Sequence, residues 1–232
     1  MEDHGPPPAP TARPPVQLEN RAEAGRLLAD RLERLQEEAP LVLGIPRGGV
    51  PVAFEIARRL QAELDLLLVR KVGAPGDPEY GLGAVAEDGL LLLDEPRARA
   101  AGFSRANLEP VIQQERAEIA KRAALFRGGK APPRLSGRTV VVVDDGVATG
   151  GTVRTAIAVV RIRKPRSVVV ALGVAPPEAL ADLGRLADEV VVAVVPPHLE
   201  AVGQWYRHFE PVEDQEVLRL LSLAPRISSI AP

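Results

Sequence analysis

The 232-residue chain contains no cysteine. Disulfide scaffolds, thiolate-bound zinc, iron–sulfur clusters and thiol nucleophiles are therefore excluded. Histidine is scarce: His4, His198 and His208 are the only three, and none belongs to an H-E-x-x-H pair. A histidine-built zinc site is not expected. An excess of one charge is also missing, because 29 Lys and Arg stand against 31 Asp and Glu, for a formal charge of −2. A general nucleic-acid or membrane-surface binder needs a basic excess, so neither role is expected; a small local anion site is still compatible. No apolar run approaches the ~18 residues of a membrane span. The opening MEDHGPPPAPTARPP has no apolar stretch behind a basic start, which argues against a secretory signal and for the cytoplasm. Lysine is limited to Lys71, Lys121, Lys130 and Lys164, a bias that carries no functional weight.

What the chain does have is apolar residues, 46% of the total, enough for a sizeable core. Residues 1–16 hold six of the 23 prolines and little that can pack, so a disordered tail is expected there. One domain is expected over 17–223, with a C-terminal tail over 224–232 and no internal repeat. Within the domain, helix and strand patterns alternate. Asn20 with Glu23 reads as a helix start. Buried strands are expected at 41–45, 64–70, 139–143, 167–174 and 189–195. Helices are expected from Pro51 to about Leu60, and over 105–126, 151–163, 177–186 and 213–223. The runs 82–86 and 90–93 flank Asp88-Gly89, a hairpin signal. Continuous apolar strands alternating with helices predict an α/β fold, a parallel sheet with helices on both faces. Ligands of such sheets sit at the carboxyl ends of the strands. That directs attention to the loops after Ile45, Arg70, Val143 and Val195.

One of these loops carries a dense chemical pattern. The run VVVVDDGVATGGT (140–152) is a buried strand, two carboxylates, a Gly/Thr-rich turn and a helix start near Thr152. Helix N-termini present unpaired N–H groups and partial positive charge. Gly150 and Gly151 admit close backbone approach, and Thr149 and Thr152 add hydroxyls, which together make a phosphate cup. The loop lacks the lysine of a nucleoside-triphosphate P-loop and the spacing of a dinucleotide fingerprint. Asp144 and Asp145 would repel phosphate but suit sugar hydroxyls or a divalent cation. Phosphate at one end and hydroxyls at the other describe a ribose 5-phosphate. LLLLDEP (90–96) has the same apolar run and acid pair without T-G-G-T, which shows how much the turn adds.

The 140–152 run resembles the phosphoribosyl-diphosphate (PRPP) motif of type I phosphoribosyltransferases, with Gly146 where an apolar residue is usual. The resemblance implies a Rossmann-like core and a glycosyltransferase that uses Mg²⁺-PRPP, moving the 5-phosphoribosyl group to or from a nitrogenous base with release of pyrophosphate. It implies that Val147, Ala148, Thr149, Gly150, Gly151 and Thr152 bind the 5-phosphate. Asp144 and Asp145 would hold the ribose and, indirectly, the Mg²⁺ that arrives on the substrate. GIPRGG (44–49) is similar to the family's pyrophosphate loop, where an unusual peptide conformation is common. Arg47, Gly48 and Gly49 would bind pyrophosphate there, together with Arg70 and Lys71. Arg47 and Lys71 would join the two acids in catalysis by favouring the departing diphosphate. VGAPGDPEYG, which follows Lys71, resembles the mobile lid. The layout is nearest adenine phosphoribosyltransferases, but Gly83 stands near the place of their lid glutamate. A wider bacterial phosphoribosyltransferase group shares G-I-P-R-G-G, V-R-K-x-G and A-V-G-x-W-Y. A homodimer is the family default.

Two readings stay open on the residues. Aromatics are 3% of the chain, yet Trp205, Tyr206 and Phe209 cluster after the last strand. They can stack on a flat base or close a satellite core. The alternative function is a PRPP- or nucleotide-sensing regulatory module without turnover, although no effector part is visible.

Overall fold

A computed structural model describes residues 17–225. The proline-rich segment 1–16 and the last residues of the expected C-terminal tail, 226–232, lie outside the described residues. Ala224, placed in that tail by the sequence, is buried against the N-terminal helix layer.

Five strands form a parallel sheet: β1 Leu41–Gly44, β2 Glu63–Leu66, β6 Thr139–Gly146, β7 Ser167–Val174 and β8 Glu189–Val194. Their order is β2-β1-β6-β7-β8. The valine-rich strands alternate between two cores. Val42, Val141, Val143, Val169 and Ala171 face α1 (Arg21–Arg31) and α2 (Gly49–Leu60). Leu43, Val140, Val142, Val170 and Leu172 face α5 (Gly151–Ile162) and α6 (Pro177–Leu183). Fully burying one such side chain is worth about 1.5–3 kcal/mol. Burial on both faces explains why these strands read as unbroken apolar runs.

A second, antiparallel sheet stands apart from the first, with strands β3 Val69–Ala74, β4 Asp77–Ala86 and β5 Leu91–Leu93 in the order β3-β4-β5. It corrects two expectations. The run 64–70 is not one strand. β1 gives way to the loop after Gly44, so the last bond on that edge is Leu67 N–H to the Gly44 carbonyl. Leu67 and Leu68 then cross, buried, to the other sheet. The glycine- and proline-rich stretch after Lys71 is not an open loop either. It is a hairpin that turns at Gly76, whose φ is +85°. Gly73 is required there, since a side chain would collide with the Pro78 backbone. The Asp88-Gly89 hairpin is present as expected, with Gly89 at φ +82°.

Helix α4 (Arg105–Arg127) covers the antiparallel sheet with Leu108, Ile112 and Ile119. Ser104 and Asn107 close its first turn as a capping box, and Gly128 ends it at φ +53°. Buried Arg127 ties the helix end to Asp65 of β2, to the Leu66 carbonyl and to Glu87 beyond β4. A short helix α3 (Glu95–Ala100), capped by Asp94, is absent from the sequence expectations. Helix α7 (Asp214–Leu223) lies where it was expected. Helices α2 and α5 begin at Gly49 and Gly151, ahead of Pro51 and Thr152.

Candidate active site

Strand β6 delivers Asp144 and Asp145 at its carboxyl end, beside the loop that runs into α5. Gly150 takes φ +73° at the N-cap of α5, and no side chain caps that helix. The first-turn N–H groups are thus left to a ligand, and the left-handed conformation at Gly150 aims them. Val147 departs from the expected phosphate role. Its side chain is buried and its N–H donates to the Val174 carbonyl at 2.9 Å. The available donors of the cup are therefore those of residues 148–152.

The two acids differ in setting. The Asp144 carboxylate accepts from the Asp145 N–H at 2.9 Å. Burial first, and then the neighbouring Asp145 charge, raises its pKa well above the usual carboxylate range. Asp145 is held from two sides. Arg21 Nε donates to its Oδ2 at 2.8 Å, and the Tyr206 hydroxyl donates to its carbonyl oxygen at 2.5 Å. Arg21 is fixed in turn by the Glu210 carbonyl at 2.8 Å and by the Phe209 ring, 3.8 Å below its guanidinium.

This arrangement explains nearby glycines. A Cβ at Gly173 would run into the Tyr206 hydroxyl and the Asp145 carbonyl. One at Gly146 would strike Val202. The unusual glycine of the motif thus makes room for the 201–209 segment to seat behind the acid loop.

That seating corrects the proposed base-stacking pair. Tyr206 is 4% exposed and its ring stacks on Phe209, with centroids 4.9 Å apart. Burial raises its pKa, so it stays a neutral donor. Trp205 packs against the same core cluster. The aromatic segment closes the core and braces Asp145.

The loop after β1 meets the acids from the other side. Side chains at Gly48 and Gly49 would collide with Asp145 and with the backbone at 143–144. The Pro46-Arg47 peptide is cis, which agrees with the unusual peptide the resemblance implies for this loop. The Arg47 guanidinium lies 3.6 Å from Asp214 and 4.0 Å from Glu213 at the start of α7. It lines neither of the two cavities found next to the cup.

Arg70 and Lys71 lie on β3. Arg70 donates to Glu115 of α4 at 2.6 Å, and Lys71 Nζ pairs with Glu79 across the hairpin at 3.0 Å. A cavity of about 540 Å³ joins Arg70, Lys71 and the hairpin tip to Asp144 and to the whole 146–152 loop. No local pattern marks Arg21 and Glu115, whose partners Asp145 and Arg70 lie 124 and 45 positions away; Glu79, which flanks the place of the expected lid glutamate, pairs with Lys71 within the same hairpin. Among the described residues, no cluster of three or more His, Asp or Glu could cage a metal. The donor set suits a cation that comes with its own phosphate ligands, since the cavity is lined by only three carboxylates, Asp144 and the cation-paired Glu79 and Glu115.

The site is a Gly/Thr-rich helix start and an acid pair at the carboxyl end of one strand of a parallel α/β sheet. The sequence pattern of the phosphoribosyl transferase domain matches residues 17–200, and the chain belongs to that family, in its type I branch. Two Mycobacterium tuberculosis proteins bearing phosphoribosyl transferase names, Rv0571c of strain H37Rv and MT0597 of strain CDC 1551, are each 44% identical over 209 residues. The matches cover 90% of this chain and 47% of each relative, so the chain spans about half their length. The crystal structure of TT1426 from Thermus thermophilus is similar at 48% identity with a TM-score of 0.81, covering 88% of this chain and 97% of that one. Among the described residues, no helix is long and apolar enough to cross a membrane.

Proposed function

We propose that the chain transfers the 5-phosphoribosyl group of Mg²⁺-PRPP to the nitrogen of a base, with release of pyrophosphate. The observation that carries this reading is the shared cavity. The open donors of 148–152, the Asp144 carboxylate and the Arg70–Lys71 cations line one space of about 540 Å³. A 5-phosphate in the cup puts the ribose over the acids and the diphosphate toward β3 and the Gly48–Gly49 loop.

The nitrogen lone pair forms a bond to the anomeric carbon while the carbon–oxygen bond to diphosphate breaks and its electron pair leaves with the diphosphate. A proton on the attacking nitrogen leaves with the departing diphosphate. Positive charge develops on the ribose, where Asp144 favours it. Asp145, neutralised by Arg21, fixes the backbone that presents Asp144. Lys71 and Arg70 stabilise the departing diphosphate after exchanging their present partners, Glu79 and Glu115. Arg47 joins them by leaving Glu213 and Asp214. Mg²⁺ arriving on the substrate would neutralise the diphosphate, and Asp144 is the residue of this chain that would help to hold it. Closing the β3–β4 hairpin over the cup excludes water, which would otherwise hydrolyse PRPP.

A panel of nucleobases with Mg²⁺-PRPP, followed by pyrophosphate release, tests the reading. Release that requires one base supports the transferase. Release with no base identifies a hydrolase, and PRPP binding without release identifies a sensing module.

A further inference from the structure

A second cavity, of about 840 Å³, opens on the other side of Lys71 from Asp144. Pockets of roughly 300–1,000 Å³ enclose ligands of nucleotide or drug size. Leu82, Ala84 and Leu92 of the antiparallel sheet and Ala158 of α5 supply apolar lining. Its rim holds four cations, Lys71, Arg97, Arg105 and Arg154.

Of these four cations, Lys71 and Arg154 have acid partners, Glu79 and Asp182, whereas Arg97 and Arg105 have none within 4.0 Å among the described residues. Glu79 is taken by Lys71 at 3.0 Å, Asp94 caps the Arg97 N–H at 3.0 Å, and Glu95 pairs with Arg99 at 3.2 Å. Arg154 reaches Asp182 only at 3.7 Å, and the Arg97 guanidinium rests 4.6 Å above the Tyr80 ring. Arg105 has no acid partner within 4.0 Å among the described residues. It is also the first residue of α4, whose first turn carries no acid. A cation there opposes the helix dipole, and a bound anion relieves both the dipole and the guanidinium.

We propose that this cavity binds an organic anion with a flat apolar body and one phosphate, carboxylate or sulfonate group, in competition with substrate in the neighbouring cup. The body covers the leucine lining and the anion meets Arg105 and Arg97. Competition follows from the residues the two cavities share: Lys71, Glu79, Thr149 and Gly151. An anion drawing Lys71 to one side withdraws it from the other, and the coupling is reciprocal. The coupling rests on the proposed PRPP site, whereas the binding does not.

The probe is anilinonaphthalene sulfonate, titrated by fluorescence against the full chain, the double variant Arg97→Gln/Arg105→Gln, and Ala158→Trp. None of these residues lines the cup cavity. One saturable site is expected, weakened about tenfold or more in both variants, with neutral anilinonaphthalene binding at least about tenfold more weakly. Folding of each variant is checked by its thermal transition. Saturable binding that ignores both changes overturns the proposal, as does a dimer in sedimentation that Ala158→Trp dissociates, which would make the cavity a subunit contact. Mg²⁺-PRPP should then weaken the probe. Probe binding that depends on the arginines but ignores bound PRPP refutes the competition alone. Failure of PRPP to bind refutes the transferase reading and leaves the anion site standing.

Discussion

The acid loop and the β3–β4 hairpin face each other across one cavity and are built in opposite ways. The 139–152 segment is fixed from behind: the β6 valines are fully buried, Tyr206 holds the Asp145 carbonyl and Arg21 its carboxylate. The hairpin carries its polar groups on partners that can be exchanged. Lys71 holds Glu79, which is 81% exposed, and Arg70, itself 39% exposed, holds Glu115. A site that must stabilise charge at a fixed point and also admit and release an anion needs both designs. In the proposed reaction, rigidity would sit where charge develops and exchangeable pairs where the leaving group departs.

Removing the brace should have the largest effect. Arg21 and Asp145 are 12% and 14% exposed, so Arg21→Gln leaves a largely buried carboxylate unpaired. Breaking such a pair costs about 3 kcal/mol or more, roughly 6–12 °C in Tm for a chain of this size. Thermal unfolding checks it; a change below about 2 °C would show that the loop does not depend on this pair.

Asp144→Asn should separate catalysis from stability. Loss of the charge facing the ribose is expected to lower kcat about a hundredfold, equivalent to ~2.7 kcal/mol, with less effect on PRPP affinity. Stability should move the other way. The raised pKa means that native Asp144 keeps its proton in a range where the unfolded carboxyl has lost it. Wild-type stability therefore falls as pH rises above the ordinary carboxylate value toward the raised one. The Asn variant should lack that loss and be at least as stable at neutral pH. Denaturant titrations of both proteins at pH 5 and pH 7 provide the comparison. An Asn variant less stable than wild type at neutral pH would contradict the assigned burial cost.

Tyr206→Phe removes one hydrogen bond and keeps the stacked ring. About 1 kcal/mol of stability should be lost, with kcat falling less than for Asp144→Asn. Unchanged stability and full activity would leave the aromatic segment as core packing only. The smallest effect on stability is expected at Glu79→Gln. The pair is exposed on one side, so stability should change by less than about 1 kcal/mol. Freed Lys71 should bind pyrophosphate more tightly, which calorimetry would register; unchanged or weaker affinity would remove Lys71 from the diphosphate site.

How far the sequence spoke divides along the same line. The parallel sheet and the 140–152 turn are encoded contiguously: four valines demand burial, and Gly150-Gly151 mark the turn into α5. Their legibility needed no tertiary information. The hairpin was misread because LDLLLVR is equally apolar in both sheets, and only the end of β1 decides where it must break. Gly73 and Gly76 signalled a loop where they serve a close crossing and a tight turn. Tyr206 was ambiguous for a related reason. An aromatic near a sheet's carboxyl edge looks alike whether it awaits a base or fills a core, and its contact with Asp145 spans 61 positions of the chain. Arg21 lay outside every motif, since its partners come from β6 and from the segment before α7.

Amide hydrogen exchange with and without Mg²⁺-PRPP tests the contrast between the two regions most directly. Residues 139–146 should be strongly protected in both states, because their bonds belong to the central sheet. Residues 73–81 should exchange quickly in the free protein and slow about tenfold or more when PRPP binds. A hairpin already protected without ligand, or one that PRPP leaves unchanged while the acid loop responds, would contradict the division between a fixed acid loop and a closing hairpin.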